Sequence, residues 1–92
     1  MVPITQLEYQ DADGRNPFGL WRAELDAIAR TKVTIALARL SLGNVSNVRS
    51  VGQGVSELKV DFGPGYRVYF GRDGEAVVIV LADGTKASTT RY

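Results

Sequence analysis

The sequence predicts one α+β domain in which two early helices cover one side of a largely antiparallel sheet, in the order β-α-α-β-β-β. Three observations predict it. Apolar residues recur at helical spacing between Asn16 and Gly43. From Val55 onward the period falls to two. Caps and turns, with no linker or repeat, separate the segments.

Ile4 to Tyr9 reads as a short strand, with Ile4, Gln6 and Glu8 alternating against Thr5, Leu7 and Tyr9. Asp11 to Arg15 is turn chemistry. Asn16-Pro17 starts a helix, with a side-chain acceptor at the N-cap and a proline at the first helical position. Phe18, Trp21 and Leu25 follow at helical spacing. Asp26 is a second N-cap, and Ile28, Val33, Leu37 and Leu40 mark one face of a longer helix that stops at Gly43-Asn44. Two helices this close are expected to fold back as an αα-hairpin packed on one face of the sheet.

Val55 to Asp61 alternates, with Val55, Leu58 and Val60 against Glu57, Lys59 and Asp61. Gly63-Pro64-Gly65 is a turn, Tyr66 to Phe70 a strand, and Gly71 to Gly74 a hairpin loop. Ala76 to Leu81 is a near-continuous apolar run, suited to a central strand buried on both faces. Alternation sends Tyr66, Val68 and Phe70 under the helices, and Arg67, Tyr69 and Lys59 to the opposite face.

Composition narrows the chemistry. The 92 residues suffice for one core, and 45% are hydrophobic. With no Cys and no His, disulfides, thiolate metal sites and Ser–His or Cys–His catalysis are excluded, and no cofactor is expected. No apolar run approaches the roughly 20 residues of a membrane span. Met1-Val2-Pro3-Ile4 lacks signal-peptide features, so a cytoplasmic location is expected. A net charge of +1 means that any basic site is local, offset by acids elsewhere. Asp11 and Asp13 read as a turn rather than a cation loop, and no phosphate-loop spacing surrounds the glycines.

Several segments resemble the HigB-like toxins of the RelE/ParE superfamily. They are Asp11 to Phe18 with Trp21, and Ala36 to Leu40 running into Leu42-Gly43-Asn44. The most specific runs from Val51 to Lys59 and on through Gly63 to Phe70, followed by Gly84-Thr85-Lys86. The match covers roughly residues 4 to 86. It implies a compact RelE-like fold and a type II toxin–antitoxin pair. It also implies ribosome-dependent cleavage of messenger RNA, a helix-turn-helix antitoxin as partner, and operator DNA contacted only through the antitoxin complex. The family's C-terminal helix has no counterpart after Lys86, where Ala87 or Ser88 stands at a commonly basic position.

RNA cleavage by attack of the 2′-hydroxyl on the adjacent phosphate needs a base, a cation for the phosphorane and an acid for the leaving oxygen. Arg67 is the first candidate for the cation, since a guanidinium grips phosphate oxygens in bidentate fashion. Lys59 and Lys86 are candidates for the base, and Tyr69 for stacking on a nucleobase. The plainer alternatives are a surface Arg67 paired with Asp61 or Glu57, and solvated lysines. Two non-enzymatic functions compete with cleavage: gyrase poisoning, or a degenerate toxin that only binds its antitoxin and tunes operon repression.

Overall fold

The computed structural model describes residues 4–63 and 65–83. Its elements are β1 (Gln6–Glu8), α1 (Pro17–Ala23), α2 (Ala27–Ser41), β2 (Val48–Gly52), β3 (Val55–Val60), β4 (Tyr66–Asp73) and β5 (Ala76–Asp83). They form a small α+β domain around one five-stranded sheet of order β1-β5-β4-β3-β2. β1 runs parallel to β5, and every other neighbouring pair is antiparallel.

Both helix starts rest on the predicted caps. The Asn16 side chain accepts a hydrogen bond from the Gly19 amide at 2.9 Å, with Pro17 next in the chain. Asp26 accepts from the Ala29 amide at 2.8 Å. α2 stops in a Schellman arrangement. Gly43, at φ 92°, donates to Leu40 O, and the Asn44 amide donates to Arg39 O. Before α1, Asp11 Oδ1 takes the amides of Asp13 and Arg15.

The expected RelE-like β-α-α-β-β-β architecture, with an N-terminal helical hairpin on the sheet, is corrected in two respects. First, a fifth strand, β2, lies between α2 and β3 and pairs with β3 through the Gly52-Gln53-Gly54 turn. All three turn residues have positive φ, Gln53 included. Second, the helices do not form a hairpin. α1 packs against β5 and α2 against β3. Spanning seven residues, α1 is only about 10 Å long. It commits Phe18 to the core and sets Trp21 edge-on to Tyr66 of β4, with ring centroids 5.7 Å apart. Each helix thus spends its inward residues on the sheet rather than on its neighbour.

The core holds Phe18, then Ala29, Val33, Leu37 and Leu40 of α2, and Leu58, Val60, Tyr66, Val68, Phe70, Val77, Ile79 and Ala82 of the sheet. The predicted phase of β4 is therefore observed. Ile28 is not in the core; at 65% exposed it faces outward, and Ala29 takes the inward position. β5 is an interior strand, but only one of its faces is fully buried, and among the described residues no helix covers the other. β4 extends through Asp73, which moves the hairpin turn to Gly74 and Glu75. β1 is shorter than expected and turns Gln6 toward the helices, where its Nε2 donates to Leu37 O at 2.7 Å. Among the described residues, no helix is long and apolar enough to cross a membrane.

Candidate functional site

Alternation along β2, β3 and β4 places Arg49, Glu57, Lys59, Arg67 and Tyr69 on the sheet face away from the helices. The register then makes neighbours of them. Lys59 stands opposite Arg67, and Glu57 lies between Arg49 on one side and Tyr69 on the other. The two cations expected to converge do so. Tyr69 is half-buried beside them. Lys86 lies outside the described residues.

The centre of this face is a carboxylate. Glu57 is only 6% exposed, although its side chain points away from the apolar core. Arg49 Nε approaches Glu57 Oε1 at 3.2 Å, and Arg67 Nε approaches Oε2 at 3.8 Å. The two guanidiniums cover the carboxylate while remaining exposed themselves. Arg67 therefore takes Glu57 as its partner, one of the two acids considered from sequence. A guanidinium carries five N–H donors, and a contact through Nε uses one of them.

Around these groups lies a depression of about 320 Å³ lined by Ser46, Asn47, Val48, Arg49, Glu57, Lys59 and Arg67. Its wall is the loop between α2 and β2, anchored where the Lys59 amide donates to Asn47 O at 3.0 Å. Among the described residues that line it, three cations stand against one carboxylate, on a chain of net charge +1, and the register sets Asp83 of β5 across from Arg67.

No protein-family model matches the chain. An uncharacterized protein of Haemophilus influenzae is 36% identical over 72 residues, which cover 77% of this chain and 73% of that protein. The chain belongs to the same family as this Haemophilus protein.

For this chain, the site offers anion binding first. Two guanidiniums and an ammonium line one depression, and planar guanidiniums match phosphate oxygens in pairs. Among the described residues no group of three or more Asp or Glu could hold a metal ion. Arg49 was not legible as a site residue from sequence, because the strand that carries it was not. Glu57 was legible only as a partner for Arg67. The signal for both was the positive-φ turn at Gly52-Gln53-Gly54, which forces Val48–Gly52 to fold back along β3.

Proposed function

We propose that the chain is the toxin of a type II toxin–antitoxin pair, a HigB-like member of the RelE/ParE superfamily that cuts messenger RNA on the ribosome. The supporting observation is the meeting of Arg49, Lys59 and Arg67 in one open depression on the sheet face away from the two helices. Single-stranded RNA is gripped by such a groove when cations track its phosphates and an aromatic ring stacks on a base. Here Arg67 and Lys59, side by side across β3 and β4, grip the phosphate oxygens, and Tyr69 offers the ring. The partners on this reading are a cognate helix-turn-helix antitoxin, the ribosome with its message, and operator DNA through the antitoxin complex. The compartment is the cytoplasm.

The test is a reconstituted translation reaction. The wild-type chain is expected to cleave message on translating ribosomes, and Arg67→Ala to lower the rate on the order of 10²–10³-fold. Intact message with the wild-type chain would end the proposal.

One observation favours a binding-only protein instead. Arg67 is already held by Glu57 in the free chain. On that second reading the chain is a gyrase poison or a degenerate toxin that only binds its antitoxin. A supercoiling assay and growth of cells expressing the chain alone separate these from cleavage.

A further inference from the structure

α2 is apolar on two sides. Its inner side, with Ala29, Val33, Leu37 and Leu40, is buried against the sheet. On the outer side, Ile28, Thr31, Ile35 and Ala38, with Leu42 at the C-cap just beyond the helix, recur at intervals of three and four, all exposed. The three large ones are 65%, 41% and 60% exposed. An alternation of three and four is the spacing of a helix-packing seam, in which each side chain enters a hole on a facing helix. The stripe is narrow, one seam wide, unlike the broad apolar face of a helix lying in a membrane surface.

The charges beside the seam say what faces it. α2 carries no acid from Ala27 to Ser41, and three bases, Arg30, Lys32 and Arg39. Lys32 and Arg39, seven residues apart, border the same edge of the stripe, in the place where coiled coils keep the charges that choose a partner. Lys32 sits with its Nζ 5.5 Å from the Phe62 ring centroid, which holds its charge at that edge. A second copy of this chain would bring the same bases against them.

We infer that the outer face of α2 is a docking seam for an amphipathic helix of another protein, one whose apolar seam is bordered by Glu or Asp. The apolar stripe lies on the side of α2 turned from the sheet, whereas Arg39 at its edge lines a hollow with Ser46 and Asn47, which also border the Arg49–Lys59–Arg67 depression. It stands whether or not that depression binds RNA.

The probe is a synthetic helix about three heptads long with Leu at the seam positions and Glu beside them, titrated into the full chain and followed by fluorescence anisotropy. The expected result is saturable binding that weakens with added salt. Ile35→Glu is expected to weaken it on the order of ten-fold or more, since a charge then enters the apolar seam. Arg39→Glu is expected to weaken the Glu peptide and strengthen the same peptide made with Lys. Both residues are exposed, so both variants keep the core. RNA affinity of Ile35→Glu is expected to equal that of the wild-type chain. Equal affinity for the Glu and Lys peptides, or none for either, overturns the inference. So does self-association abolished by Ile35→Glu, which assigns the seam to a second copy. Preference for anionic vesicles over the Glu peptide overturns it in favour of a lipid surface.

Discussion

Arg49 stands directly across the β2–β3 pair from Glu57 and closes on its carboxylate at 3.2 Å. Because Glu57 is buried and Arg49 is exposed, the contact does more for the acid than for the base. A carboxylate removed from water is costly unless its oxygens are partnered, and here Arg49 takes one and Arg67 the other. The ion pairs thereby tie three strands together and gather the cations of the candidate site.

Stability is expected to show this sharing. Arg49→Ala or Arg67→Ala alone leaves Glu57 one guanidinium and costs about 1 kcal/mol or less, because each base is exposed and its pairing screened. Removing both strands a buried charge and costs about 3–5 kcal/mol, more than the sum of the singles. Adding Glu57→Leu to the double variant recovers most of the loss. Urea unfolding of the set checks the pattern.

The caps give an independent check on the helices. Asp26→Ala loses the bond to the Ala29 amide and is expected to cost about 1 kcal/mol, lowering Tm by about 4–8 °C in a domain this small. Asn16→Ala is expected to cost more. Its Oδ1 caps α1, and its Nδ2 also donates to Glu8 Oε1 at 2.6 Å, tying the helix to β1. Thermal denaturation by circular dichroism ranks the two.

Phe18→Ala is expected to be more severe than any of these single changes, at about 3–5 kcal/mol. Phe18 is fully buried, and with Trp21 it attaches α1 to the sheet. Against a total stability of about 5–14 kcal/mol for a chain of this length, that loss removes a large share of the margin. Its urea midpoint checks this.

Much of this structure was legible in the sequence where a local rule and a tertiary demand agree. Asn16, Asp26 and Gly43 mark helix ends because unpaired backbone groups there need them, whatever the fold. The phase of Tyr66, Val68 and Phe70 was legible because one face of β4 is buried, and the same phase set Lys59 beside Arg67. β2 was not legible. It is an edge strand whose residues are exposed apart from half-buried Val48, so it carries no alternation of apolar and polar residues. With β2 went Arg49. Ile28 was assigned inward because α2 is apolar on two sides, and spacing alone does not choose between Ile28 and Ala29. The helical hairpin was inferred from the short link at Glu24 to Asp26, but a short link fixes only proximity. The packing of Phe18 and Trp21 on the sheet decided the rest.

The most direct test of the basic depression is the salt dependence of affinity for a single-stranded RNA oligonucleotide. Each phosphate neutralised on a single strand contributes about 0.7 to the slope of log affinity against log salt. Arg49→Ala, Lys59→Ala and Arg67→Ala are each expected to flatten the slope by about that amount and to weaken binding at low salt. Unchanged slopes in all three variants, with RNA still bound, would place the phosphate contacts elsewhere and contradict the account.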